Sequence, residues 1–184
     1  MEVGSGQGRP VLHTIGHSTL TFEELADLLR HNGVSLLADV RTIPGSRHNP
    51  QFNQLELART LPAAGIEYRH LPLLGGLRKG HKDSPNTGWR SPAFRAYADY
   101  MAEPGFAEGL GELIRLAGCG LVAVMCAEKL WWRCHRSLIA DALLVAGLEV
   151  WHIMGPGRVE AHRLTPFARV EAGRLIYPAP ERGT

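Results

Sequence analysis

The chain has 184 residues, a length that suits one domain with an interior large enough for a core. Hydrophobic residues make up 45% and charged residues 21%, and the formal charge of +2 is too small for bulk attraction to nucleic acid or a membrane, so either partner would need a local patch. No apolar stretch approaches the roughly 20 residues of a membrane-spanning helix, and three thinly spread cysteines make no disulfide framework, so a soluble protein of the reducing cytoplasm is expected.

Residues 1–10 are polar and glycine-rich with no apolar signal region, and read as a disordered leader. Val11 to Ile15 is the first predicted strand. Thr21 then caps a helix to about Asn32, with Phe22, Leu25, Leu28 and Leu29 on one face and Gly33 as the stop. Val34 to Val40 is nearly all apolar, as a strand covered on both faces should be. After a loop rich in proline and glycine, Asn53 is expected to cap a helix to about Ala63, followed by a third strand from Ile66 to Leu71. Pro72 to Arg90 has no period. Ser91-Pro92 starts a helix to about Met101, and Phe106, Leu110, Leu113, Ile114 and Ala117 mark another. Cys119, between Gly118 and Gly120, reads as a structural turn residue. Leu121 to Met125 is a fourth strand, Ser137 to Ala146 a helix, and Leu148 to Met154 a fifth strand. Arg169–Glu171 and Arg174–Tyr177 flank Ala172-Gly173 as a small hairpin.

Strands alternating with helices predict an α/β domain over 11–154: three layers, a mostly parallel central sheet with helices on both faces, and an extension over 155–184 carrying the hairpin. In such a sheet ligands bind beyond the carboxyl ends of the strands. The strand ends supply His17, then Asp39, Arg41, Ser46 and Arg47, then Cys126, Glu128 and Lys129, and at the fifth strand His152. Parallel topology would gather them at one rim.

The densest stretch is Cys126 to Arg136, between the fourth strand and its helix. A thiol at a strand end that faces a helix N-terminus, near Lys129, Arg133 and Arg136, should ionise more easily than a free thiol. Cys126 is therefore the candidate nucleophile or proton donor, with His17, Asp39 and Glu128 as candidates for proton work. Arg41, Ser46, Arg47, Lys129, Cys134, His135 and Arg136 are candidates for holding a ligand. Arg136 could instead pair with Asp39 or Glu128 as a structural ion pair. The gap from 126 to 134 exceeds the usual spacing of metal ligands, so no metal and no cofactor is expected. Gly75 to Lys82 reads as a basic loop, either solvated or a lid over an anion. Trp89, Arg90 and the Trp131-Trp132 pair suggest stacking on a base, against packing as the plainer role.

Thr14-Ile15-Gly16-His17-Ser18, Asp39-Val40-Arg41 with Pro44, Ser46-Arg47 and Phe52, Gly75-Gly76, Cys126-Ala127-Glu128, Cys134-His135-Arg136 with Ile139-Ala140, and His152-Ile153 together resemble the family called domain of unknown function 488, from about residue 12 to 154. That resemblance implies a soluble prokaryotic protein and supplies no reaction. A strand ending in Asp-Val-Arg and a later strand ending in cysteine, loop, arginine and helix are also similar to rhodanese-like and cysteine-phosphatase architectures. Those families use short loops with small residues, whereas Glu128 to Trp132 here contain no glycine.

The expected function is an enzyme that takes a small anionic or nucleotide-like ligand at the carboxyl rim. Two alternatives stand beside it: a nucleic-acid or nucleotide binding module without turnover, and a metal-dependent enzyme.

Overall fold

Residues 9–179 are described by a computed structural model of the chain. Of the leader expected over 1–10, residues 1–8 lie outside the described residues, while the Pro10 carbonyl already accepts from the Glu149 amide at 2.9 Å.

The elements follow the apolar periodicity closely. β1 spans Val11–Gly16 and leads into α1, Phe22–His31. Thr21 starts α1 with a reciprocal cap: its hydroxyl accepts from the Glu24 amide at 3.1 Å, and the Glu24 carboxylate accepts from the Thr21 amide at 2.7 Å. Gly33, with φ +69°, ends it. β2 (Leu36–Asp39), α2 (Gln54–Ala63) and β3 (Glu67–His70) come next. Asn53 stands at the position before α2, but its side chain does not cap the helix; Oδ1 accepts from the Ser46 amide at 2.7 Å and closes the preceding loop. α3 (Pro92–Tyr100) and α4 (Pro104–Ala117) lead to β4 (Val122–Cys126), a short 3₁₀ turn at Trp131–Arg133, α5 (Arg136–Val145) and β5 (Glu149–Gly155). β6 (Arg158–Ala161) was not anticipated; it pairs antiparallel with β5. β7 (Arg169–Glu171) and β8 (Arg174–Ile176) form the small hairpin.

The central sheet has the order β3-β2-β4-β1-β5-β6, parallel except at its β6 edge. Alternate residues of each strand feed opposite layers. Leu37, Ala123, Met125 and Ile153 pack with Leu25 and Leu29 of α1 and Leu57 and Leu61 of α2. Leu36, Ala38, Val122, Val124 and Val150 pack with Tyr97, Phe106, Leu113, Leu138 and Leu143 of α3, α4 and α5, joined by Tyr177 from beyond the hairpin. α5 is buried from Arg136 through Leu143, as a helix apolar on every side must be. No helix among the described residues is long and apolar enough to cross a membrane.

The chain leaves β1 and β2 toward the α1/α2 layer and leaves β4, which lies between them, toward the α5 layer. Adjacent loops thus diverge at the carboxyl end of β4, which is where an open α/β sheet forms its crevice. Cys126 is the last residue of that strand.

Candidate functional site

A cavity of about 420 Å³ opens at this point. Cys126, Cys134 and His135 line it with Arg41, Glu128 and Arg133, together with the apolar side chains of Ile43, Leu77, Ala93 and Phe94. The loop after β4 turns back through the Trp131–Arg133 turn, so that Cys134 returns to Cys126 just before α5 begins. The donor atoms of Cys126, Cys134 and His135 all lie within 4.8 Å of one another. The spacing from 126 to 134, too long for a local pair of metal ligands, is bridged by this turn.

The Cys126 and Cys134 sulfurs lie within 4.8 Å of each other, and the interaction between them divides their protons unequally. That interaction, with burial, pushes the Cys126 thiol up to about 12. It brings the Cys134 thiol down to about 6, helped against burial by the Arg136 charge and its backbone N–H, 3.5 Å from Sγ. His135 Nε2 donates to the Val40 carbonyl at 3.2 Å, which directs Nδ1 at Cys134 Sγ, 3.6 Å away. An alanine Cβ at Gly76 would stand 2.6 Å from that Nδ1, so the ring is set by a backbone only glycine allows so near.

Arg136 is 1% exposed, yet among the described residues no carboxylate lies within ion-pair distance of it. It donates to the Glu128 carbonyl, and at 3.4 Å to the Thr14 hydroxyl; its Nε has no partner. The ion pair with Asp39 or Glu128 weighed from sequence therefore does not form. Asp39 belongs to Arg41, holding it through both oxygens at 2.8 and 2.5 Å and also accepting from Tyr68 at 2.8 Å. Arg41 further donates to the Phe52 carbonyl at 2.7 Å.

Among the other candidates, Glu128 lines the cavity, although its carboxylate accepts from the Leu130 amide at 3.0 Å. His17 does not line it. Its ring packs on Phe52, donates from Nδ1 to the Ser18 carbonyl at 3.0 Å, and meets Arg41 through Nε2 at 3.3 Å. Burial and the Arg41 charge hold it down at about 4, a neutral brace. Ser46 spends its hydroxyl accepting from the His48 and Asn49 amides. Arg47 and Lys129 are exposed, and neither lines this cavity; Lys129 faces a separate one beside Gly16 and Met154.

The basic loop is tied down. Arg78 lies over the Tyr100 ring at 3.5 Å and donates to the carbonyls of Pro72, Leu73 and Gly75. Asp99 accepts from the His81 amide, the Ser84 hydroxyl and the Asn86 amide side chain. Trp89 is turned onto Phe94, Phe167 and Tyr177, and Trp131 stacks on His152 at 4.1 Å, so neither ring stands free for a base.

A buried polar chain went unrecognised. Thr14 Oγ1 meets His152 Nδ1 at 2.7 Å, His152 Nε2 meets His162 Nδ1 at 2.9 Å, and His162 Nε2 donates to Asp141 at 2.9 Å. Asp141 also accepts from the Thr165 amide and hydroxyl and the Tyr177 hydroxyl. Burial, with the charges of His162 and Arg136, drives His152 down to about 2. The available signal was Asp141 itself, an acid inside the apolar run Leu138 to Val145.

No curated protein and no solved structure matches the chain. Residues 21–143 match the family described as Domain of unknown function DUF488, a span that runs from α1 to α5 and takes in Asp39, Arg41, both site cysteines, His135 and Arg136. The chain belongs to the DUF488 family.

Proposed function

We propose that the protein is a thiol-dependent enzyme acting on a small anionic ligand in the β4 crevice, with Cys134 as the attacking thiolate and Cys126 as its proton-donating neighbour. The observation that carries this is Arg136: a residue 1% exposed, with no carboxylate partner among the described residues, whose backbone N–H lies 3.5 Å from the Cys134 sulfur and whose charge lowers that thiol. A buried unpaired charge costs several kcal/mol. A thiolate at Cys134 supplies the counter-charge. His135 takes the Cys134 proton at Nδ1 while Nε2–H stays on the Val40 carbonyl. The resulting imidazolium, the Arg136 amide and the Cys126 S–H then face one sulfur. Arg133 at the cavity mouth suits an anionic substrate group. All three cysteines are free, which fits the reducing cytoplasm we propose as the compartment.

Peptide mapping after brief iodoacetamide treatment at neutral pH tests the reading, with exposed Cys119 as the internal reference. Cys134 should be alkylated at least about tenfold faster than Cys119. Slower labelling than Cys119 would end the proposal.

A second reading rests on the same three donor atoms. Zinc bound tetrahedrally by thiolate and imidazole at about 2.3 and 2.0 Å sets its sulfur and nitrogen ligands about 3.6 Å apart. Cys134 Sγ and His135 Nδ1 are 3.6 Å apart, and the Val40 carbonyl on Nε2 is a suitable orienting partner. Elemental analysis of the purified protein decides: stoichiometric zinc that blocks alkylation would displace the nucleophile reading.

A further inference from the structure

Resting on Cys134 as the attacking thiolate, we infer that Cys134 and Cys126 form a dithiol–disulfide couple, and that the crevice reduces a small disulfide bearing an apolar group. Three observations converge on this. The sulfurs are within 4.8 Å of each other, so a second thiol stands beside any adduct formed on Cys134. Both sulfurs line the same cavity, so a substrate that reaches one leaves room for the other to act. Finally, the cavity lining combines sulfur, imidazole and guanidinium groups with the apolar side chains of Ile43, Leu77, Ala93 and Phe94, of which Ile43 and Leu77 are each 72% exposed. Large apolar side chains left that open at a reactive site suit the apolar half of a ligand.

The chemistry balances with the groups present. The Cys134 thiolate attacks one sulfur of R–S–S–R′, forming Cys134–S–S–R and breaking the substrate S–S bond. The departing R′–S⁻ takes the proton from His135 Nδ1. Cys126 then gives its proton to the vacated Nδ1 and attacks the Cys134 sulfur. The protein disulfide forms as R–S⁻ leaves and takes that proton in turn. Two electrons pass from the thiol pair to the substrate, giving RSH and R′SH. Two equivalents of an external thiol of the reducing compartment return the pair to its dithiol form, the first forming a mixed disulfide with the protein and the second displacing it, and leave as their own disulfide. Cys126 is held at the strand end by its carbonyl, which accepts from the His17 amide at 3.0 Å, so side-chain rotation is what brings the sulfurs to bonding distance.

The test uses the full chain carrying Cys119→Ser, which removes the exposed thiol and lies outside the site. This protein is mixed with an equimolar amount of 4,4′-dithiodipyridine, an aromatic disulfide whose released thione absorbs in the near ultraviolet. Two thiones should be released per chain, with a protein mass lower by two hydrogens and the Cys126–Cys134 peptide pair linked. Adding Cys126→Ser should stop the reaction at one thione, with the pyridyl adduct trapped on Cys134. A pyridyl adduct persisting on Cys134 in the protein that retains Cys126 would overturn the couple and leave the nucleophile reading standing. No adduct at Cys134 in either protein would bring down the nucleophile reading itself. For the substrate class, rates with dithiodipyridine and with bis(2-hydroxyethyl) disulfide are each divided by the rate of free glutathione with the same disulfide. The normalised preference for the aromatic disulfide should be at least about tenfold and should shrink in Leu77→Ser. Equal normalised rates would refute the apolar subsite.

Discussion

Gly16 is where the fold and the candidate chemistry can be separated most cleanly. It ends β1 beside Cys126, and its backbone angles suit any residue, so an alanine there meets a purely steric obstacle. The new Cβ would lie 1.9 Å from the Glu128 carbonyl oxygen and 2.9 Å from Arg136 Nη2. Contact closer than 3.0 Å is not tolerated, so the two backbones must part by at least about 1.1 Å. The oxygen belongs to the main chain and cannot rotate aside as a side chain would. The His17 and Ser18 amides, bonded to the Cys126 and Ala127 carbonyls at 3.0 and 2.9 Å, hold the strands in this register and resist the movement. Overpacking of this kind costs about 1–3 kcal/mol, and for a chain of this size each kcal/mol lowers the melting temperature by about 2–4 °C. Gly16→Ala should therefore melt about 2–12 °C lower. The carbonyl that must move is the one Arg136 Nη2 donates to, so the guanidinium loses its anchor near Cys134. The ratio of Cys134 to Cys119 alkylation should fall at least about threefold. Gly45→Ala, whose Cβ meets nothing within 4 Å, is the control and should change neither quantity. A Gly16→Ala protein with unaltered melting and labelling would refute the close packing of β1 against the cysteine loop.

Three further outcomes follow from other parts of the molecule. His17 and His152 are buried neutral, at about 4 and about 2, whereas both titrate near 6.5 when unfolded. Between those values the unfolded chain binds more protons, so their stabilisation is complete above about pH 6.5 and is lost as the pH falls. By pH 5 each histidine should have surrendered about 2 kcal/mol. Urea unfolding free energies at pH 7 and 5 should show the drop, and His17→Gln should remove about half of it, leaving the His152 share; a level profile in the unmodified protein contradicts the burial argument. Asp141→Asn leaves the His162, Thr165 and Tyr177 donors competing for a single amide oxygen in a fully buried site, which should cost about 1–3 kcal/mol in urea unfolding. A midpoint equal to wild type would show that the chain from Thr14 to Asp141 contributes nothing to stability. Gly76→Ala drives a Cβ to within 2.6 Å of His135 Nδ1 and should slow Cys134 alkylation at least about threefold, with little change in melting because the ring sits at the half-exposed cavity edge. Unchanged labelling would mean that His135 does not set the state of that thiol.

Much of the fold is legible because its signals are local. The Thr21–Glu24 cap, the helical spacing of Leu25, Leu28 and Leu29 and the apolar run at Val122–Met125 each determine an element within a few residues. β6 escaped notice because Val159 is its one large apolar residue, set between Arg158 and Glu160 and 39% exposed; an edge strand buries too little to leave a period. The long aperiodic segment after Pro72 is a different case. Its order comes from Arg78 lying on Tyr100 and from Asp99 collecting three donors, all contacts made across the sequence.

The same division runs through the candidate site. That Cys126 and the residues after β2 should share a rim follows from parallel topology, and the cavity brings Arg41, Cys126, Glu128, Cys134 and His135 together. Which thiol ionises does not follow, because that depends on a proton shared between sulfurs brought together by a turn, and on a guanidinium that found no acid. Arg41 and Arg136 both lie in segments that follow a strand, and the sequence offers each an acid, Asp39 for the first and Glu128 for the second. In the fold Arg41 takes the Asp39 carboxylate, while Arg136 is left with carbonyl and hydroxyl oxygens. The Asp39 carboxylate is taken by Arg41, and in the function we propose the Arg136 charge adds to the interaction with Cys126 in favouring a thiolate at Cys134. Replacing Arg136 with lysine keeps the charge but removes the fork that reaches both the Glu128 carbonyl and Thr14, so the thiol should respond to geometry as well as to charge.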